Sequence, residues 1–148
     1  MWRLWLLAWT GGAVLAVANG TMREYGLSRL LDEESARQLS TLTLLLLLTG
    51  YIWMLEQRWP LTSARTAVLV GAAWVVLTVG FEFGLGHFVE HKSWGTLLAD
   101  YHLTEGRVWL VVPLWTLLAP AAVRAVRRLV IDALPANNAL SPEELAAE

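Results

Sequence analysis

The chain has 148 residues, 56% of them hydrophobic, with nine Trp, no Cys and a formal net charge of −2. Its mean hydropathy is +0.48. One domain is what this length allows. The lack of Cys excludes a disulfide framework, a thiolate metal site and a Cys nucleophile, and the scarce, acid-leaning charge excludes a nucleic-acid surface.

Uncharged stretches run from Leu4 to Met22, Leu39 to Leu55, Thr66 to Phe81 and Val108 to Val123. Each reaches the roughly 17 to 25 residues of a membrane span once flanking snorkelling or interfacial residues are counted. Helices of a soluble bundle need a polar face along their length, and these have none. The expectation is an all-α protein: a four-helix transmembrane bundle with a short interfacial helix between helices three and four. The spans fall at about 4–22, 38–57, 63–82 and 107–124 within a membrane domain covering 1–131, and 132–148 reads as a short polar, disordered tail.

Helix one carries Ala8, Gly12, Ala16 and Gly20 at intervals of four, a small-residue face that lets another helix approach closely. Arg3, the apolar run and Ala16-Val17-Ala18 also have the parts of a secretory signal, but the run continues through Met22 and so has spanning length. A retained helix is expected, and cleavage would leave three spans. The Asn19-Gly20-Thr21 glycosylation triplet lies too close to the membrane to count. Met22 to Leu31 is a short amphipathic segment, after which Asp32 caps helix two with Glu33 and Glu34 in its first turn. The Trp53, Glu56, Gln57, Arg58, Trp59 and Pro60 end reads as an interfacial belt and a stop.

Helix three starts near Ser63, with Ala67 and Gly71 four apart and Gly80 and Gly84 repeating that spacing at its far end. Trp74 and Thr78 read as packing residues. In the following segment Ser93 caps a short helix running from Trp94 to Tyr101 that rests on the membrane surface. Helix four opens after Gly106-Arg107, with a kink expected at Pro113 and a bend at Pro120.

Chemistry concentrates between helices three and four. His87, His91 and His102, all the His of the chain, lie there with Glu82, Glu90, Asp100 and Glu105. If 81–91 stays helical, His87 and His91 share a face one turn apart, with Glu90 three residues from His87, and such a set can hold a metal. HFVEH also fits the inverted zinc-peptidase pattern, but the chain lacks room for a substrate cleft and no distant third ligand stands out. Glu82 follows sixteen uncharged positions, and Arg107 is its natural ion-pair partner. The polar or ligand set is therefore Glu82, His87, Glu90, His91, Asp100, His102 and Arg107, with His87, Glu90 and His91 as the metal subset. No phosphate loop, dinucleotide fingerprint or nucleophile elbow is present. Small proton-coupled multidrug exporters match in size alone, because their membrane-embedded Glu lies in the first helix and this one has none.

The pattern from Phe81-Glu82-Phe83-Gly84 through Gly86-His87, Ser93-Trp94, Asp100-Tyr101 and Gly106-Arg107 to Pro120, preceded by Asn19-Gly20-Thr21 and Arg23-Glu24, resembles uncharacterised small multi-spanning bacterial inner-membrane proteins. That resemblance implies a fold and brings no activity. The functional expectation is a non-enzymatic accessory or structural subunit, surrounded by lipid and packing with itself or a larger membrane complex. Its alternative is a metal, haem or quinone site at the outer interface; no particular cofactor is specified. Arg3, Arg58, Arg65, Arg124, Arg127 and Arg128 share one side of a four-span arrangement, and the other side is richer in acid. The Lys/Arg rule then puts both termini in the cytoplasm, of a bacterial cell on the resemblance above.

Overall fold

The computed structural model describes residues 2–89, 91–99 and 110–133, and among these all regular structure is helical. Its helices are α1 (Trp2–Met22), α2 (Ser28–Leu30), α3 (Glu33–Arg58), α4 (Ala64–Gly84), α5 (Trp94–Ala99) and α6 (Val111–Ala133). Two five-residue π-helical segments, Arg23–Leu27 and Leu85–Val89, follow α1 and α4.

Three helical stretches are long and apolar enough to cross a membrane: Trp2–Leu30, Glu33–Arg58 and Ala64–Val89. With no water in hydrocarbon to bond the backbone, a continuous helix is how such a chain satisfies its own amides. The first stretch runs further than expected. The segment after Met22 does not break away as a separate amphipathic helix; a π turn and α2 carry the winding on to Leu30, and the chain becomes extended only at Leu31.

Start signals are local. Asp32 accepts a 3.0 Å bond from Ser35 N–H and opens α3, and Ser63 accepts a 3.1 Å bond from Thr66 N–H and opens α4. The Ser35 bond also holds the Asp32 carboxyl below its ordinary pKa. Because the folded value is the lower one, this contribution is present above the unfolded pKa and is lost as pH falls through the folded one. Acidification is therefore expected to release the Ser35 amide before the rest of α3, read as early loss of its hydrogen-exchange protection.

Inward faces follow helical spacing: Trp5, Ala8, Gly12 and Asn19 on α1, and Ala67, Val70, Gly71 and Trp74 on α4. On α3 the stripe runs from Ala36 through Leu44, Leu48 and Ile52 to Leu55 and Glu56. The principal contacts place α1 against α3 and α4, and α6 against the same two helices. Trp5, Ile52, Leu55, Leu61, Val70, Trp74 and Ala119 form the main core, with a smaller cluster of Leu44, Leu48 and Val112 beside Ala16.

Contact α4–α6 is the closest. A Cβ on Gly71 would run into the main-chain carbonyl of Leu117, so only glycine lets the two backbones meet there. α6 is continuous from Val111 to Ala133, extending beyond its expected end, and both its prolines are buried. Of the two, Pro120 lies in the helix interior, where it removes one backbone donor. The charges Arg124, Arg127, Arg128 and Asp132 lie within this helix, after thirteen uncharged residues from Val111.

Indole groups tie the helices together. Trp5 Nε1 donates to Trp59 O at 3.0 Å, Trp74 Nε1 to Trp5 O at 2.8 Å, Trp9 Nε1 to Thr78 Oγ1 at 3.1 Å and Trp115 Nε1 to Thr49 Oγ1 at 2.9 Å. Each is a bulky apolar body whose one polar atom is spent inside the protein. Asn19 completes the set: its Nδ2 reaches Ser40 O at 2.9 Å and Ser40 Oγ at 2.8 Å, so the amide of the glycosylation triplet is buried between α1 and α3.

Candidate functional site

Two polar regions stand at opposite ends of α4. At its C-terminal end the winding changes to π over Leu85–Val89, and the helix stops before His91, whose φ is 54°. The Lys92 N–H returns to Gly86 O at 2.9 Å and closes the turn. The helical premise behind a shared His87/His91 face thus does not hold. The extra residue of the π turn alters the spacing, and His91 occupies a left-handed position that glycine or asparagine more often fills.

His87 points back into its own hairpin. Its Nδ1 lies 3.0 Å from Lys92 O, which fixes the proton on that nitrogen, and its ring stacks on Trp94 at 4.1 Å and 24°. Phe83 stacks on Trp94 in turn at 6.2 Å. Leu97 of α5 closes the hairpin: a Cβ on Gly86 would sit 2.5 Å from its Cδ2. Ser93 caps α5 through Thr96 N–H at 3.2 Å. The region is a hydrophobic fold-back with one imidazole committed to it. Replacing His91 by glycine is expected to raise stability by about 0.5–1 kcal/mol, because the left-handed backbone no longer opposes a Cβ; denaturant or thermal titration of the purified variant reads the change.

Glu82 is half-buried and engaged in interactions of its own. Glu90, Asp100, His102 and Arg107 lie outside the described residues, as does 134–148 of the expected tail. Among the described residues no group of three or more His, Asp or Glu is placed to hold a metal.

The small-residue faces divide. Ala8 and Gly12 are buried, and Gly12 faces Leu48 and Trp74. Ala16 packs on the Leu44–Leu48–Val112 cluster. Gly20, Gly80 and Gly84 have no atom within 4 Å of where a Cβ would stand, so nothing in the described fold uses the room they leave.

At the other end lies a cluster that sequence reasoning treated as a plain helix stop. Glu56 is 2% exposed, and its Oε2 accepts the Leu61 N–H at 2.9 Å. Arg124 of α6 donates from Nε to Leu61 O at 3.0 Å and from Nη2 to Thr62 O at 3.4 Å. Trp59 O takes the Trp5 indole. The polar backbone of the α3–α4 turn is thereby held by side chains from α1, α3 and α6, and Leu61 is driven into the core at 2% exposure. The signal available in sequence was Glu56 five residues before an apolar Leu61 that a stop signal flanks; nothing local pairs it with Arg124, 68 residues away.

Searches against family models, curated proteins and solved structures find no match. Function therefore rests on the geometry.

Proposed function

We propose that the protein is a small integral-membrane accessory subunit: a four-span bundle, α1, α3, α4 and α6, with α5 lying at the interface, which packs through its outer helix faces with a second copy or a larger membrane complex. The Gly80/Gly84 stripe of α4 carries this reading. Small residues four apart are what close helix approach in lipid requires, and among the described residues no atom fills the space over either glycine. Exposed Val76 and Leu77 precede the pair on the same helix, at 70% and 38% exposure.

Internal polarity supports the same view. Every buried side-chain polar atom among the described residues has a hydrogen-bond partner within the chain, so the core spends its polar groups on its own architecture. The common end that holds the start of α1, the turn after α3 and the Arg-bearing half of α6 is the cytoplasmic one by the Lys/Arg rule, and the membrane is a bacterial cytoplasmic membrane on the sequence resemblance. The alternative, a metal or haem centred on His87 and His91, is an outcome of the same test.

The experiment is to purify the intact chain in mild detergent, wild type beside Gly80→Ile/Gly84→Ile and beside His87→Ala/His91→Ala. Its readouts are particle mass, metal content and the visible spectrum. The accessory reading expects a self-associated or partner-bound particle that loses mass in the glycine variant while its thermal midpoint holds. Unchanged association in that variant, or a near-stoichiometric metal or haem band that vanishes in the His variant, overturns it.

A further inference from the structure

We propose that the outer groove between α1 and α3 is a binding site for an anionic glycerophospholipid, with an acyl chain along the groove and the phosphate held by Arg3 and Arg58. The inference rests on the membrane-spanning reading above and goes beyond it in naming a ligand.

The groove, of about 420 Å³, is lined by Leu4, Leu7 and Ala8 of α1 and by Tyr51, Met54 and Leu55 of α3. That volume lies within the roughly 300–1,000 Å³ of small-molecule sites. Away from Arg58 and Trp59 its wall is apolar, because the Tyr51 hydroxyl is spent within the protein: Oη donates to Ala8 O at 2.8 Å. Leu7 and Met54 stand on its open side, 67% and 55% exposed.

Charge is confined to one end. Arg58 lines the groove beside Trp59, its guanidinium carbon 5.9 Å from that ring's centroid. Arg58 is four residues after Met54, and Arg3 is four residues before Leu7, so each stands one turn beyond a lining residue on the same helix face. Antiparallel α1 and α3 bring these two helix ends together, as the Trp5 bond to Trp59 O shows. Among the described residues neither Arg forms an ion pair; the pairs present are Arg23–Glu24 and Arg37–Glu33. Glu56, the nearest acid in sequence to Arg58, is turned inward onto Leu61. An apolar slot along the membrane, ending at headgroup level in two cations and an interfacial Trp, is complementary to an acyl chain that ends in a phosphodiester. Arg supplies planar, bidentate phosphate recognition. Arg124, by contrast, is occupied with the turn carbonyls.

The test is thermal unfolding of the intact protein in nanodiscs of phosphatidylcholine alone and with phosphatidylglycerol, for wild type, Arg3→Gln/Arg58→Gln, Met54→Trp and Arg128→Gln. Wild type is expected to gain about 3 °C or more from phosphatidylglycerol, by preferential binding to the folded state. The double variant and the groove-filling Met54→Trp lose that gain, and Arg128→Gln keeps it. Equal midpoints in the two lipids, or equal loss in Arg128→Gln, overturn the site in favour of none or of diffuse surface charge. Inorganic phosphate added to the phosphatidylcholine discs separates the sources: a gain from phosphate alone as large as that from the lipid overturns the acyl-chain assignment. Resistance to alkaline carbonate extraction is measured for all variants, so failure of the spanning reading is seen separately.

Discussion

Gly71→Ala is expected to cost about 3 kcal/mol or more, at the upper end of overpacking substitutions. The new methyl would strike the Leu117 main-chain carbonyl, not the end of a flexible side chain, so relief requires α4 and α6 to separate along their closest contact. Separation would also open the seam beside Trp74, Val70 and Ala119, which share the main core. Gly80→Ala is the matched control: same helix, same chemistry, and no atom of the described residues within 4 Å of the new methyl. It is expected to stay within about 0.5 kcal/mol of wild type. Reversible unfolding by denaturing detergent, followed by circular dichroism, reads both; a Gly71→Ala protein as stable as Gly80→Ala would show that the α4–α6 contact is looser than described.

Glu56→Ala comes second, with an expected loss of about 3 kcal/mol. The Leu61 N–H would be left buried without an acceptor, and the turn that packs Leu61 into the core would lose its hold on α3. Glu56→Gln retains a carbonyl oxygen for that N–H and is expected to cost about 1 kcal/mol. Because Arg124 grips the other side of the same turn, Glu56→Ala and Arg124→Ala are expected to be less than additive by about 1 kcal/mol in a double-mutant cycle. Full additivity would mean that the two residues support the turn independently.

What could be read from sequence was mostly what local rules decide. Uncharged stretches marked α1, α3 and α4, and Asp32, Ser63 and Ser93 marked helix starts because capping involves only a residue and the amides three positions on. Boundaries failed where winding changed. Neither π segment has a periodic signature that separates it from ordinary helix, so the run-on to Leu30 and the break at His91 went unseen. α6 shows another limit, since three arginines ended the apolar run while the helix itself continued to Ala133.

The polar groups separate by range. His87 was prominent in sequence because a titratable residue near a span invites chemistry, yet its Nδ1 is turned to Lys92 O and its ring to Trp94. Glu56 looked ordinary because a carboxylate at a helix end is common. Its burial is set by Leu61 and by Arg124, and the latter contact depends on how α6 docks, which no local pattern encodes. Gly71 and Gly80 were indistinguishable as members of small-residue pairs, and only packing shows that one meets a backbone and the other no atom of the described residues.

The proposed four crossings, with the α3–α4 turn at the cytoplasmic end, are directly measurable because the chain has no native Cys. Single-cysteine variants Thr62→Cys, Ser93→Cys and Ala133→Cys would be labelled in intact cells with a membrane-impermeant maleimide. Labelling of Ser93→Cys from outside, with Thr62→Cys and Ala133→Cys protected until the membrane is opened, is the predicted result. Labelling of Ala133→Cys together with Ser93→Cys would leave three crossings and contradict the account.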